Sequence, residues 1–445
     1  MPTARYKSVV DAFAADIRAG NLRAGTQLPT HRHLAAEKGI AVATASRVYA
    51  ELEAMGLVSS ERGRGTFVRD LTLPPGHGID QGVLAPNAVD LNFNYPTLPN
   101  QADLLREALH ELAGSGDLES LLHYQPHGGR ERDRAAGATH LLDRGLDVAP
   151  DCVAIVNGAQ HGLAVTALAF LRPGDVVAVD ALTYPGFKVL ADALRLELAP
   201  LPTTSNGPDL DALQTLCQRR PVRAVYSMPT LHNPLGWVID HAARHQLIAI
   251  ARTHGLLVIE DASYAYLVDQ PPPPLAAIAP DVTVYVSGLS KNVATGLRVG
   301  FVSAPLSRIR LIERIIRATA WNTPAITAAI ASHWLQNGTV TRLEIQKRRD
   351  ATLRQTLARE SLEPLAQLAH PSSYFSWIPL PPGSRADRIA AALARVDISI
   401  STAEPFSTTI EAPQALRLAL GSANLEALPG ALTTVRRLIE TDILH

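Results

Sequence analysis

The chain of 445 residues has only two cysteines, Cys152 and Cys217, too few for a disulfide framework. That excludes the disulfide-stapled secreted scaffolds and predicts a reducing compartment. No uncharged apolar run approaches the roughly 20 residues that a bilayer requires, so no membrane partner is expected. The opening residues, Met-Pro-Thr-Ala-Arg, lack the basic and then apolar pattern of a secretory signal, which predicts a cytoplasmic protein. No metal site is read in the sequence either. What is present is 47% hydrophobic and 19% charged residues, a globular composition, in a length that suggests two to four units at about 100–200 residues each.

A large excess of one charge is also lacking, since the net charge is −1, yet this balance hides an asymmetry. Residues 1–69 carry 10 Lys and Arg against 6 Asp and Glu, while the remainder carries 31 against 36. A basic head on an acidic body points to a polyanionic partner for the head. In that head, Tyr6, Val9, Val10, Phe13 and Ile17 fall at helical spacing before Gly20. Thr30 is a candidate N-cap for a short helix ending at Gly39, and Thr44 to Met55 predicts a third helix with Val48 and Leu52 inward. Two short helices joined by a Gly-containing turn predict a helix-turn-helix. Leu57 to Ser60 and Thr66 to Val68 then predict a β-hairpin whose tip carries Arg62, Gly63 and Arg64, suited to phosphates or a minor groove.

These residues, together with Ile17-Arg18-Ala19-Gly20, Gly25 to Pro29, Arg32, Leu34-Ala35, Tyr49, Glu51-Leu52, Gly56-Leu57-Val58 and Gly63-Arg64-Gly65-Thr66, resemble the GntR winged-helix family. The resemblance implies that Arg32, Thr44, Ser46 and Arg47 approach the major groove of double-stranded DNA, with Arg62, Gly63 and Arg64 forming the wing contact. Two departures stand out. Ala41 occupies a position where a capping Ser or Thr is usual, and Val42 stands where many members carry Arg. Val42 cannot make the bidentate guanine contact open to Arg, so an operator sequence does not carry over.

A Pro- and Gly-containing stretch over residues 70–88 reads as a linker between a head at 1–69 and a body at 89–445. Extended, it spans roughly 70 Å, enough to reach a partner subunit, with an ordered arm packed on the body as the alternative. Beyond residue 150, apolar β-rich runs alternate with helical ones, which predicts a largely parallel α/β sheet covered on both faces. Five strands end in polar residues. Cys152 to Val156 runs into Asn157-Gly158-Ala159-Gln160, where a helix N-terminus offers backbone N–H groups to a phosphate. Val176 to Val179 leads to Asp180 and Tyr184, and Ala224 to Ser227 leads to Asn233-Pro234-Leu235-Gly236. Leu256 to Ile259 ends in Glu260-Asp261, with Tyr264 three residues on; Val282 to Val286 ends in Ser287-Gly288-Leu289-Ser290-Lys291, with Arg298 beyond. Ligands of open α/β sheets collect at the carboxyl ends of strands. An amine, a carboxylate, a Tyr and Asn pair, an aromatic face and a phosphate cradle match the needs of pyridoxal 5'-phosphate (PLP).

In this order the motifs resemble fold-type I, class I/II aminotransferases, the aspartate aminotransferase-like fold of a large and a small lobe, with the small lobe expected from about residue 340. The resemblance implies that Lys291 is the aldimine lysine, that Asp261 pairs with the pyridinium nitrogen, and that Asn233 and Tyr264 hold the ring hydroxyl. Tyr184 would stack on the ring, while Gly158, Ala159, Gln160, Ser290 and Arg298 would hold the phosphate. Tyr124, in His-Tyr-Gln-Pro-x-Gly, matches the tyrosine that reaches a neighbouring subunit's phosphate and so implies a homodimer. Arg417 matches the arginine that grips a substrate α-carboxylate. Gly288 departs from a usual Ser or Thr hydroxyl, leaving either a weaker phosphate site or compensation by Ser287.

A GntR head on an aminotransferase-like body resembles the MocR subgroup of bacterial transcription regulators. This implies a PLP-dependent, DNA-binding regulator, on the nucleoid when bound, whose body senses PLP or an amine or amino acid through aldimine exchange at Lys291. A working aminotransferase with an accessory head stays open, because Lys291, Asp261, Tyr264 and Arg417 are all present. A regulator whose body binds some other effector is the third reading.

Overall fold

The computed structural model describes residues 3–61, 63–69, 88–114 and 118–443. Arg62 and nearly all of the expected linker lie outside the described residues. Helix α1 (Thr3–Arg18) buries Tyr6, Val10, Ala14 and Ile17 as a single stripe, with Val9 and Phe13 half-buried beside it. Helix α2 (His31–Lys38) starts at Thr30, whose hydroxyl accepts from His33 N at 3.3 Å, and stops at Gly39 in the left-handed conformation. Helix α3 (Val42–Ala54) begins two residues earlier than the pattern predicts. Ala41 offers no side-chain cap to mark that start. Strands β1 (Val58–Glu61) and β2 (Gly65–Val68) pair antiparallel as a wing, and Leu34, Val48 and Leu52 close the core between helices and wing. Tyr49, at the back of the recognition helix, donates to Pro29 O at 2.6 Å and fixes the turn before α2; burial pushes its phenol up to about 12.

The body opens with β3 (Val89–Leu91). Among the described residues it continues with a seven-stranded sheet made of β4 (Val153–Val156), β5 (Val176–Asp180), β6 (Glu197–Leu201), β7 (Val222–Ser227), β8 (Leu257–Asp261), β9 (Thr283–Gly288) and β10 (Gly300–Ser303). Their order is β4-β10-β9-β8-β7-β5-β6. Strands β4, β5 and β8 are buried at every residue and β7 at all but Arg223, as a sheet covered by helices on both faces requires. All neighbouring pairs are parallel except those of β10, which runs antiparallel to β4 and β9. This strand is absent from the sequence reading. It exists because Gly300 lets two backbones meet: a Cβ there would stand 2.7 Å from the carbonyl carbon of Gly158.

The long helix Thr339–Leu362 leads into a second sheet of β11 (Phe375–Pro379), β12 (Ile398–Thr402) and β13 (Ala415–Ala419), ordered β11-β13-β12-β3. The first strand of the body thus closes the edge of the last sheet, parallel to β12. These features make a winged helix-turn-helix head on an α/β body of a large and a small lobe, as expected. Among the described residues no helix is long and apolar enough to cross a membrane.

The head rests on the small lobe through charge. Arg385, 4% exposed, pairs with Glu61 at 3.0 Å and Asp387 at 3.1 Å, donates to Ser59 Oγ at 2.8 Å, and stands over the Phe67 ring. Arg69 pairs with Glu404 at 2.5 Å. Removing Arg385 takes a buried cation from Glu61 and Asp387, although Glu61 keeps Arg64, and costs about 3 kcal/mol. In Arg385→Ala the head therefore melts in a separate, earlier calorimetric transition. One unchanged transition at the wild-type temperature contradicts this seam.

Candidate functional site

A cavity of about 410 Å³ opens where the carboxyl ends of β7, β8 and β9 meet β13 and the segment after β3. The large lobe supplies Ala159, Gln160, Tyr184, Asn233, Asp261, Tyr264, Ser290, Lys291 and Arg298, and the small lobe supplies Arg417. Residues far apart in sequence are brought together because parallel strands deliver every loop to the same edge.

At one end is an anion cradle. The helix Ala159–Phe170 begins at Gly158, whose φ of +80° turns the chain so that the first amides face the cavity. Arg298, also left-handed at φ +51°, donates from Nη2 to Asn157 O and from Nη1 to Ser290 Oγ, each at 3.1 Å. A Cβ on Gly158 would lie 2.8 Å from Arg298 Nη2, so glycine is what lets the guanidinium close on the helix end. Gly288 has a similar cause. A Cβ there would lie 3.1 Å from Ala159 N and 3.3 Å from Val299 O, which leaves no easy room for a hydroxyl side chain. Of the two alternatives, compensation by Ser287 finds no support: adjacent residues of a strand face opposite ways, and Gly288 lines the cavity while Ser287 does not.

In the centre, Lys291 Nζ donates to Asn94 O at 2.8 Å and stands 5.8 Å from the Tyr95 ring centre. Asp261, the last residue of β8, is buried, and burial pushes its carboxyl pKa upward. Opposing this, Oδ1 accepts from Ser263 Oγ at 2.6 Å and Ser263 N at 3.0 Å, and Oδ2 accepts from Tyr226 OH at 2.8 Å. Tyr226 is stacked on Phe187 with centroids 3.9 Å apart. Neither Tyr226 nor Ser263 was singled out by the sequence, although Ser263 lies inside the Asp261-x-x-Tyr264 motif.

At the other end Arg417 is buried between the Phe375 and Phe406 rings, 6.0 and 5.1 Å from their centroids, and donates to Asn92 O at 2.7 Å. Buried polar atoms of four lining residues, Asn94 Nδ2, Gln160 Oε1, Asn233 Oδ1 and Arg417 Nε, lack protein partners. Such groups call for a polar occupant. With a cradle for an anion, an amine and a buried carboxylate, the donor set fits PLP. Tyr124 stands outside its own chain's cavity, 82% exposed and tilted against Trp321.

On the head, Arg32, Arg47, Gly63 and Arg64 are exposed and Thr44 and Ser46 are partly so. The Ser46 hydroxyl is already engaged, donating to Val42 O at 3.1 Å and bonded to His31 Nδ1 at 2.9 Å. Arg47 lies over the Tyr6 ring and Arg64 pairs with Glu61 at 2.8 Å. His31 and His33, exposed on the first turn of α2, were not singled out by the sequence.

The chain matches the aminotransferase class I and II family over residues 86–432 and the gntR family of bacterial regulatory proteins over residues 5–68. It is 28% identical over 98% of its length to an uncharacterized HTH-type transcriptional regulator, YdeF, of Bacillus subtilis, 94% of which is covered. It is 26% identical over 81% of its length to the HTH-type pyridoxine biosynthesis transcriptional regulator PdxR of Corynebacterium glutamicum, covering 79% of that protein. Among solved structures, an archaeal alanine:glyoxylate aminotransferase shares the fold with a TM-score of 0.75 at 22% identity, over 80% of this chain and 91% of that one.

The anion cradle carries a direct expectation. Arg298→Ala removes the charge-assisted contact and leaves the helix end alone, so PLP affinity measured by equilibrium dialysis falls about 10- to 100-fold. Unchanged affinity contradicts the cradle.

Proposed function

The chain belongs to the aminotransferase class I and II family and carries a GntR-type head, the combination of the MocR-type transcriptional regulators, and on that premise we propose that it is a PLP-dependent regulator. In this reading the body answers an amine or amino acid by amine exchange at Lys291. PLP supplies an aldehyde for that exchange and an electron sink in its ring. The observation that carries the reading is the joint placement of Lys291, Asp261 and Arg298 around one cavity whose lining includes unpartnered polar atoms.

Each side chain has a defined task. The Arg298 guanidinium and the amides after Gly158 hold the phosphate, and Gln160 and Ser290 border them. Asp261 keeps a proton on the ring nitrogen, with its charge supported by Ser263 and Tyr226. Asn233 and Tyr264 hold the ring hydroxyl and Tyr184 covers the ring face. Arg417 takes the effector's carboxylate, which favours an amino acid over a simple amine. Tyr124, exposed on its own chain, reaches the cofactor phosphate of a second copy and makes the protein a homodimer. Arg32, Thr44, Ser46, Arg47, Arg62, Gly63 and Arg64 contact an operator on the cytoplasmic nucleoid.

The signal passes to the head through the small lobe. Arg417 packs on Phe406, and two residues before it Glu404 pairs with Arg69 at the end of the wing. An effector that draws on Arg417 thereby acts on a segment that also holds the head, biasing one arrangement over another.

Operator binding titrated with PLP and a panel of amino acids tests this. One amino acid changes operator affinity by about fivefold or more, the usual size of a coupling free energy, and Lys291→Ala abolishes the change. Affinity that stays constant under every condition overturns the sensing role. On the head, Arg32→Ala and Arg47→Ala each reduce the slope of log affinity against log salt by about 1. A second reading, a working aminotransferase, is favoured by the buried Arg417 lining the same cavity as Lys291. It requires Lys291-dependent turnover between an amino acid and a 2-oxo acid.

A further inference from the structure

A second lysine lies behind the first. Lys347, on the helix Thr339–Leu362, is fully buried, and its Nζ donates to three carbonyls: Pro96 O at 2.6 Å, Val293 O at 2.8 Å and Lys291 O at 3.1 Å. Three acceptors require three N–H donors, which only the ammonium form provides. Burial opposes that charge and pushes the amine down to about 7; Asp350 and Glu344 support the charge, while Lys291 opposes it. Around the same group stand Tyr374, which donates to Lys347 O and to Asp350, and Tyr266, which donates to Lys291 O.

A buried ammonium is a costly way to fill space, since a methionine of similar length fills it without desolvating a charge. What the ammonium adds is location. Lys291 O and Val293 O lie on the turn that carries the Lys291 side chain, and Pro96 O lies on the segment whose Asn94 O receives the Lys291 amine. The two lysines therefore hold one strip, residues 94–96, from two directions.

We propose that Lys347 is a positioning residue for the cofactor lysine, pinning the backbone around Lys291 to residues 94–96 and placing a second positive charge behind its amine. The proposal rests on the reading of Lys291 as the lysine that holds PLP. Two consequences follow. Loss of the pin loosens the turn, so PLP is retained less well. Loss of the charge makes the Lys291 nitrogen easier to protonate when PLP is attached.

The test uses full-length protein reconstituted with PLP, as wild type, Lys347→Met and Lys347→Gln. The pH midpoint of the bound cofactor's visible band, its rate of loss on dilution and the thermal midpoint are measured together. In both variants the band midpoint moves upward by about one pH unit, the size expected for removing one nearby charge in a protein interior. PLP also leaves about 10-fold faster from the Met variant, which has no donors. The band midpoint separates this from general damage: Met leaves three buried carbonyls without a donor and lowers the thermal midpoint, but a merely structural loss does not move the pH midpoint of the bound cofactor. If the Met variant does not fold, the Gln variant decides the question. An unchanged band midpoint in the folded variants overturns the proposal. A wild-type protein with no visible band overturns the reading of Lys291 instead, and this inference with it.

Discussion

A buried carboxyl group prefers to be neutral, and under the proposed function this one has to be charged for the ring nitrogen of PLP to keep its proton. Asp261 is buried at the end of β8, where desolvation raises its pKa. Three hydrogen bonds from Ser263 and Tyr226 work against that penalty. The parallel sheet makes those bonds geometrically available, since Tyr226 on β7 is paired in register with Ile259 on β8. The stacking of Tyr226 on Phe187 and the position of Lys291 beyond β9 depend on the same strand order. The fold thus solves an electrostatic problem before it solves any problem of recognition.

Much of this was legible in the sequence because local signals survive into the fold. Thr30 and Gly39 cap α2 as their residue types suggest, and the strand ends before Asn233, Asp261 and Lys291 deliver their residues to one edge. The failures have physical causes. Helix α3 starts early because Ala41 carries no capping oxygen to announce it. Strand β10 is four residues long and depends on a glycine contact with a segment about 140 residues away. Tyr226 and Lys347 look like ordinary interior or helix residues until tertiary packing supplies their partners. Ser287 was a reasonable substitute for a missing hydroxyl until the strand's alternation turned it away from the cavity.

Among the described residues, head and small lobe meet through charged side chains of the lobe and the wing. Arg385 joins the wing to the small lobe, and Glu404 takes Arg69 two residues from the aromatic ring that packs on Arg417. Surface ion pairs are usually weak, but a buried guanidinium shared among two carboxylates and a hydroxyl is costly to break. Under the proposed function, such a seam would carry a small shift of the lobe that holds Arg417 to the wing.

The central claim is that Lys291 holds the cofactor through its amine. Borohydride reduction of the PLP-loaded protein, followed by peptide mapping, measures this directly. The account predicts one pyridoxyl group, on the peptide containing Lys291. A label on any other lysine, Lys347 included, or no label at all, would contradict it.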